Sequence, residues 1–492
     1  MGDISTSLES NRETVQKQIA DCDDILLRPM ELGKEVTVAC FLIYIEVAVS
    51  NMMLEDSVIG KMLNHLKEMD KDSIYQSIKQ NSLGVSDTKE LETMQEAMAA
   101  MLAGNVVLFI DGYDKAIKVG SKGYPAAGIS KAESEKVLRG SKEAFSESVK
   151  INTALIRKRV RDTKLKVKEK VIGKHSNTAT ALVYIDDLAY PSLLDNIEKK
   201  LDSFEIDGVL DSGIIEQLTE ESWYSPFPQY QTTERPDRAA MAVMEGRVVL
   251  LSDNSPEALI LPTTWNTLFQ TSDDYYSHFT IASFLRLIRY VAAFLAVSLP
   301  GLYLIATNFH TQMLPTNLVI SLAKARAGVP FPSLLEVLIM ELSFELIREA
   351  GLRVPGPIGN TIGIVGGLII GQAAVAANIV SPIIVVVVAL TALGSFSIPN
   401  EEVSGALRLI KYGMIFFCNF WGVLGLLFGW FLILVHLAGL KSFDIPYLIP
   451  FTAADINQDK DKADSIFRRP IFQMNRRPVF ARRHNRVRLR MK

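Results

Sequence analysis

Cysteine is scarce in this chain of 492 residues, which contains only Cys22, Cys40 and Cys418. The three thiols show no metal-ligand spacing, and an odd number cannot form a complete disulfide framework. This usage is typical of proteins in a reducing compartment. The sequence therefore predicts neither a metal centre nor a fold held by disulfides.

Common catalytic motifs are also missing. Residues 1–280 contain no phosphate-binding glycine loop, no His/Cys cluster and no nucleophile elbow. We therefore expect no catalytic residues, no metal and no cofactor. The chain is predicted not to be an enzyme.

The N-terminus lacks the features of a secretory signal. Its first residues, MGDISTSLES, are polar and acidic and contain no apolar core. We expect the N-terminal half to stay in the cytosol.

Apolar residues are distributed unevenly along the chain. The long apolar runs lie between residues 290 and 440, whereas residues 1–280 have ordinary globular patterning. A chain of this length is too long for a single hydrophobic core. The predicted fold is α+β with a membrane part: two related cytosolic α/β subdomains, then an α-helical transmembrane domain of four to five spans. The predicted boundaries are 1–140 and 175–280 for the subdomains, 141–174 for a basic linker helix, 281–440 for the membrane domain and 441–492 for a basic cytosolic tail.

The subdomain prediction rests on an internal repeat. Val36–Ile45 reads as a buried strand followed by a helical pattern from about Met53 to Met69, and Ala181–Ile185 followed by Ser192–Phe204 repeats this order. Ala99–Gly112 likewise resembles Ala239–Asp253, each interpreted as two strand-like runs around a glycine turn.

The segment Ser141–Lys174 between the repeats is strongly basic. Its cluster comprises Arg157, Lys158, Arg159, Arg161, Lys164, Lys166, Lys168 and Lys170. Nucleic acid or anionic lipid could bind such a cluster. We favour a solvated linker helix and expect no nucleic-acid partner, because no aromatic residues are interleaved.

Four apolar runs are long enough to cross a bilayer: Leu285–Ala306, Ile358–Ala377, Ile379–Phe396 and Met414–Leu440. An even number of spans returns the C-terminus to the cytosol. There, the positive-inside tendency suits the segment Ile466–Lys492, which has ten Arg or Lys and no acid.

A fifth apolar segment, Ser333–Ala350, contains carboxylates. Glu341, Glu345 and Glu349 are four residues apart and so share one helical face. Because carboxylates facing lipid are costly, this helix should be interfacial, re-entrant or exposed to water. An amphipathic surface helix and an acidic pore vestibule formed by Glu341 and Glu345 both remain open. If the segment crosses fully, one other run must not cross.

Glycine recurs every fourth residue at Gly359, Gly363, Gly367 and Gly371. This spacing is typical of a packing face between membrane helices. The opposite face carries Thr361, Val365, Leu368 and Gln372. Around a common axis of several copies, this face would form a narrow apolar gate between polar positions. The alternative is simple contact with lipid or other helices.

Several stretches resemble the A subunits of GerA-type spore germinant receptors. They are TERPD (Thr233–Asp237), DYY (Asp274–Tyr276), VPFP (Val329–Pro332), REAGLRVPGPIG (Arg348–Gly359) and GIVGGLIIGQAAVAANIVS (Gly363–Ser381). The resemblance extends over nearly the whole chain. One departure is YIEVAV at Tyr44–Val49, where the family usually has an acid-glycine pair.

The resemblance implies a multi-pass protein of the spore inner membrane with both termini in the cytosol. It implies partnership with a multi-span B subunit that recognises the nutrient and a lipoprotein C subunit. A homo-oligomeric ring of A subunits, proposed to be pentameric, would release monovalent cations. Stage V sporulation protein AF is a similar paralogue that is thought to amplify ion release without sensing nutrient.

Two functional classes other than a channel are also considered. One is a membrane-anchored scaffold that only recruits other receptor proteins. The other is a secondary transporter, which is disfavoured because inverted repeats and paired broken helices are not evident.

Overall fold

The computed structural model describes residues 2–33, 37–48, 88–120, 124, 132, 135–353, 357–452 and 460–490, with side chains omitted at 313, 357–365 and 368. It contains a duplicated α/β domain, a helical domain and a C-terminal tail that packs back on the α/β domain.

The first α/β subdomain is an antiparallel five-stranded sheet in the order β1-β2-β4-β5-β3. Its elements are α1 Leu8–Ile19, β1 Ile25–Leu32, β2 Val38–Ile45, β3 Thr88–Leu91, α2 Met94–Leu102, β4 Val106–Ile110 and β5 Ala116–Val119. Apolar residues of both helices, including Val15, Met98 and Met101, pack with Phe41 and Phe109 of the sheet.

The second subdomain repeats this topology, with strand order β6-β7-β9-β10-β8. Its elements are α3 Val149–Arg159, β6 Leu165–Ile172, β7 Thr178–Ile185, α4 Pro191–Asp202, α5 Ser212–Thr219, β8 Gln231–Thr233, α6 Pro236–Met244, β9 Val248–Ser252 and β10 Ala258–Leu261. The first two strands of each sheet pair over eight residues in the same way. Helices α3 and α6 contribute to a core on one face of the second sheet, and α4 and α5 to a core on the other.

The structure corrects the interpretation of the paired glycine segments. The run before each glycine is a helix, α2 or α6, and not a strand. Gly104 and Gly246 adopt φ values of 87° and 90°, which suit a glycine that ends a helix. Short apolar runs of Ala and Met do not distinguish a buried helix from a buried strand. The helical pattern predicted after the first strand lies outside the described residues.

The prediction of a basic linker helix was wrong for its second half. Helix α3 ends at Arg159, and Leu165–Ile172 is β6, the edge strand of the second sheet. Its lysines form ion pairs within the fold: Lys164 with Asp187, Lys168 with Glu198 and Lys170 with Asp202. Arg157 is fully buried and pairs with Asp24 of the first subdomain. Much of the positive charge is therefore paired inside the second subdomain, and Arg157 connects the two subdomains.

The described residues of the helical domain form six α-helices. They are α7 Phe279–Asn308, α8 Thr316–Arg326, α9 Ser333–Arg353, α10 Pro357–Ala376, α11 Pro382–Phe396 and α12 Glu401–Gly439. Among the described residues, α7 and α12 are long and apolar enough to cross a membrane.

Helix α12 is a hairpin, so the predicted single span Met414–Leu440 was wrong. Gly422 has φ 58° and ψ −132°, which breaks the helix into arms 401–421 and 423–439. The arms fold onto each other, because a Cβ on Gly429 would lie 2.6 Å from Sδ of Met414. Along a straight helix these two residues would be about 22 Å apart. Glycine permits both the positive φ and the close approach.

Both ends of the hairpin contact the α/β domain, which defines the near end of the helical domain. Glu402 lies beside Thr232, and His436 forms a hydrogen bond with Ser225 at 2.8 Å. The Gly422 turn lies at the far end, against Phe309 just after α7.

Six helical segments alternate in direction between these ends. Helix α7 leads away from the α/β domain, and α9 starts at the far end, where Ser333 donates a hydrogen bond to Asn308. Helix α9 then runs toward the near end, α10 toward the far end and α11 toward the near end. The first arm of α12 runs toward the far end and its second arm toward the near end, as the contacts between these helices indicate. The predicted amphipathic segment Ser333–Ala350 thus runs alongside the other helices. The last helix, α12, ends at the near end.

The tail returns to the second subdomain. A two-stranded hairpin, β11 Lys441–Ser442 with β12 Ile445–Pro446, follows α12. Further along, the backbone N–H of Arg482 donates to the carbonyl of Leu188, and Asn485 donates to the carbonyl of Asp187. The basic tail is therefore part of the folded α/β domain.

We expect Gly425→Ala to destabilise the chain, because the added Cβ would overlap the carbonyl oxygen of Phe417 in the opposite arm. Overpacking of this kind costs about 1–3 kcal/mol. Thermal unfolding of the detergent-purified protein should begin at a lower temperature. Gly413→Ala is the matched control, since nothing lies within 4 Å of its Cβ position. Equal unfolding temperatures for the two variants would contradict the hairpin.

Candidate functional site

The predicted gate face lies on α10, which packs against α9 and α11. A Cβ on Gly366 would contact Ile347 of α9 at 3.7 Å, and one on Gly371 would contact Val385 of α11 at 3.3 Å. Ile369 and Gln372 are exposed on the opposite side. At 100° per residue, Thr361 and Val365 share that uncovered side, and Leu368 lies at its edge. The side chains of Thr361, Val365 and Leu368 lie outside the described set, so the gate stays a prediction.

One residue of the glycine stripe, Gly371, lies against another helix of the same chain. Gly371 is buried against α11, whereas nothing lies within 4 Å of a Cβ on Gly367. The surroundings of Gly359 and Gly363 lie outside the described set. The helix-packing role is thus visible at Gly371 as a contact within the chain.

Glu341 and Glu345 meet a lysine that the sequence interpretation did not consider. The Nζ of Lys411 on α12 lies 2.5 Å from Oε2 of Glu341 and 3.8 Å from Oε1 of Glu345. Glu341 and Lys411 are almost fully buried, whereas the Glu345 side chain is partly exposed. The second carboxylate oxygen of Glu341 has no hydrogen-bond partner among the residues that the structure describes. A buried charge of this kind is stable only while its counter-charge remains in place.

Glu336, one helical turn earlier, forms a second buried connection. Its carboxylate accepts hydrogen bonds from Arg326 of α8 at 3.2 Å and from the backbone N–H of Ser381 at 2.9 Å. Helix α9 is therefore tied through its carboxylates to α8, α11 and α12.

A buried ion network joins the α/β domain to the start of α7. Asp274 accepts hydrogen bonds from Nε of Arg286 and from Nη1 of Arg289, both at 2.8 Å. Arg286 also donates to Asp464 of the tail at 2.6 Å. Asp274 and Arg286 are each 1% exposed. This Asp274 network connects three separate parts of the chain at one point.

The two motifs TERPD and DYY contact each other beside this network. Tyr276 donates to Asp237 at 2.8 Å, and Asp237 also pairs with Arg235 at 2.7 Å. Tyr275 donates to Asp464 at 2.6 Å. The three residues of DYY thus contact three different partners: Asp274 contacts α7, Tyr275 contacts the tail and Tyr276 contacts the TERPD motif.

The electrostatics of Asp274 favour its charged form. Burial alone would raise the pKa of this carboxyl, but the hydrogen bond from Arg289 and the charge of Arg286 hold the pKa below its usual value. Asp274 is therefore a permanent anion at physiological pH. Sequence reasoning placed Arg286 and Arg289 at the cytosolic end of a span but did not identify Asp274 and Asp464 as their partners.

A second contact, beside the start of α12, is electrostatically unfavourable. Burial and the nearby charge of Glu402 raise the pKa of Glu216 to about 8, with smaller contributions from Glu220, Glu257 and Asp211. A proton on Glu216 relieves this repulsion. Protonation therefore stabilises the contact of α5 with α12.

The contacts described above fix the positions of the helices. Among the described residues, no group of His, Cys, Asp and Glu could hold a metal ion. The charged clusters connect helices to one another and to the α/β domain.

Comparison with known proteins gives consistent matches. Residues 13–480 match the family described as Bacillus/Clostridium GerA spore germination protein. The chain is 39% identical over 476 residues to the uncharacterized membrane protein YfkQ of Bacillus subtilis (strain 168), covering 96% of this chain and 91% of that protein. It is 34% identical over 485 residues to spore germination protein KA of the same organism, covering 99% and 88%.

One solved structure is also similar. It is the N-terminal domain of the A subunit of the Bacillus megaterium spore germinant receptor GerK3, with 25% sequence identity and a TM-score of 0.42. The similarity covers 54% of this chain and 98% of that one.

The fold and its buried charges define a two-domain protein in which a duplicated α/β unit is fastened to a bundle of apolar helices. This chain belongs to the GerA spore germination protein family. The family resemblance predicted from the sequence motifs is confirmed.

Replacing Lys411 with methionine should leave Glu341 buried without a counter-charge, which costs about 3–5 kcal/mol. We expect lower abundance in the membrane fraction and a lower unfolding temperature. Combining Lys411→Met with Glu341→Leu should recover most of the loss, because both charges are then removed. Lys324→Met, at an exposed position on α8, is the control. Additive losses in the double variant would contradict a direct ion pair.

Stability should fall as pH rises from about 5 to 9, because folded Glu216 keeps a proton up to a pKa of about 8 that the unfolded chain loses near 4.5. The loss should be about 2 kcal/mol after solvent screening. Glu216→Gln should remove this part of the pH dependence in thermal unfolding of the purified full chain. Asp195→Asn, at an exposed position on α4, should keep it. Parallel pH profiles for wild type and Glu216→Gln would refute the assignment.

Proposed function

We propose that this chain is the A subunit of a spore nutrient germinant receptor. In this proposal it forms a homo-oligomeric channel in the spore inner membrane and catalyses no reaction. The channel releases monovalent cations when a multi-span B subunit and a lipoprotein C subunit sense nutrient. Membership of the GerA family and the names of the relatives support the germination role.

The alternating helical segments support a multi-pass topology. Six segments lead from the near end to the far end and back, so that the start of α7 and the end of α12 both lie beside the α/β domain. Both termini would then lie in the cytosol, as the basic tail also favours. If α9 also crosses the membrane, the four predicted spans become five. The hairpin of α12 crosses twice where one span was predicted, so the total is six and remains even.

The uncovered side of α10 is the observation that carries the channel proposal. Ile369 is 57% exposed, and Gln372 is exposed on the same side of the helix. The other side of α10 is covered by α9 and α11. A ring of copies could therefore place α10 at its axis without disturbing the fold of each subunit, and a pentamer is the count that the family resemblance suggests.

Within this ring, Thr361 and Gln372 would wet the conduit, and Val365 and Leu368 would form the apolar constriction. Glu341 and Glu345 would remain beside Lys411 in the closed state. Their role as a vestibule then requires that Lys411 move away when the channel opens.

A membrane-anchored scaffold or signal-amplifying paralogue is the alternative proposal. The similarity to YfkQ, a membrane protein that is not named for germination, supports this alternative. A scaffold needs no gate, so polar substitutions on α10 would leave ion release unchanged.

Replacing Val365 or Leu368 with serine should hydrate the constriction and release potassium from dormant spores without nutrient. Ile370→Ser is the control, because Ile370 lies about 140° around the helix from Val365. Potassium in the medium is measured together with the abundance of the variant protein. Normal dormancy at normal abundance would argue for the scaffold.

A further inference from the structure

Two large aromatic side chains lie exposed on the second α/β subdomain. Trp223 is 84% exposed and Tyr224 is 68% exposed, in the loop between α5 and β8. Their rings meet edge to face, with centroids 6.1 Å apart. Two rings left in water forgo the stabilisation that burial usually gives to large apolar side chains.

The loop that carries this aromatic pair is fixed by its own hydrogen bonds. Gln229 is 1% exposed, and its side-chain oxygen accepts from the backbone N–H groups of Glu221 and Ser222 at 3.0 and 3.1 Å. Its amide nitrogen donates to the carbonyl of Ser222 at 3.1 Å. Phe227, just after the pair, is buried against Trp265. The exposed rings are thus presented by a rigid support.

The loop lies beside the near end of the helical domain. Ser225 is hydrogen bonded to His436 at 2.8 Å, and the ring of Tyr224 lies 6.2 Å from that of His436. His436 is in the last turn of α12. The turn before it exposes Phe431, Leu432, Leu434 and Val435. The aromatic pair therefore sits where a band of exposed apolar side chains ends.

We propose that Trp223 and Tyr224 insert into the lipid headgroup region of the membrane at the near end. This inference rests on the membrane placement in the proposed function. Trp and Tyr concentrate at that depth because each has an apolar body and a polar tip. The indole N–H and the phenol O–H can bond to headgroups while the rings cover the acyl boundary. The loop then anchors the α/β domain directly to lipid, independently of the Asp274 network.

Bromine quenching of tryptophan fluorescence tests this placement. The full chain is reconstituted in phosphatidylcholine nanodiscs, with bromine either near the headgroup end or near the methyl end of the acyl chains. The emission lost in Trp223→Phe reports Trp223 alone. We expect headgroup-end bromine to quench this component by about half and methyl-end bromine to quench it less, because interfacial rings sit at headgroup depth.

Two other tryptophans serve as controls in the same discs. Trp421 is 56% exposed next to the Gly422 turn, and Trp265 packs between Phe227 and Phe269. The component lost in Trp421→Phe should be quenched by bromine, and that lost in Trp265→Phe should not. An unquenched Trp421 would count against the membrane placement itself, and so against the proposed function.

A quenched Trp421 with an unquenched Trp223 would overturn the anchor while leaving the membrane placement intact. Acrylamide, a water-soluble quencher, then identifies the surroundings of Trp223. Strong acrylamide quenching would place the ring in water, and protection from both quenchers would place it against another protein chain. Either result rejects the lipid anchor. Trp223→Tyr, which keeps an interfacial ring, should preserve the protection of the loop from proteolysis in discs, whereas Trp223→Ser should reduce it.

Discussion

The whole molecule depends on the buried charge of Asp274. A carboxylate that is 1% exposed is tolerable only if its charge is balanced, and two arginines of α7 supply that balance. Because one of them also binds Asp464, the first long helix, the α/β domain and the tail are held by a single set of ions. A rigid connection of this kind can carry a displacement of the α/β domain to the helices, since neither partner can leave without exposing an uncompensated charge.

The helical domain uses the same principle along α9. Glu336 and Glu341 lie on a helix whose neighbours provide Arg326 and Lys411. Ion pairs in an apolar bundle contribute little net stability compared with well-packed apolar residues, but they penalise any arrangement that separates them. They therefore specify which helices neighbour α9. A movement of α12 relative to α9 would have to give Lys411 another partner or bring water to Glu341.

Sequence reasoning predicted what depends on composition and repeats: the mixed α/β domain, the apolar helical part and the family. It missed features that depend on contacts between distant residues. The strand at Leu165–Ile172 was not recognised because Lys164, Lys168 and Lys170 gave the segment a basic character. Their partners Asp187, Glu198 and Asp202 lie 23 to 32 residues away. The acids on α9 were predicted to face water, because their actual partner, Lys411, is 70 residues from Glu341 in the sequence. One signal was available: Arg286 and Arg289 at the start of an apolar run required buried acids nearby, and DYY supplies one.

The turn at Gly422 shows why counting apolar runs does not determine topology. The run Met414–Leu440 has no proline and no charge, so its hydropathy is that of one long span. The break instead follows from the glycines at 422, 425 and 429, which allow a positive φ and then let the second arm lie against the first. A stripe of small residues therefore has two readings, a contact with another helix or a contact with the helix it belongs to after a turn. In α12 the second holds, because both His436 and Glu402 must reach the same α/β domain.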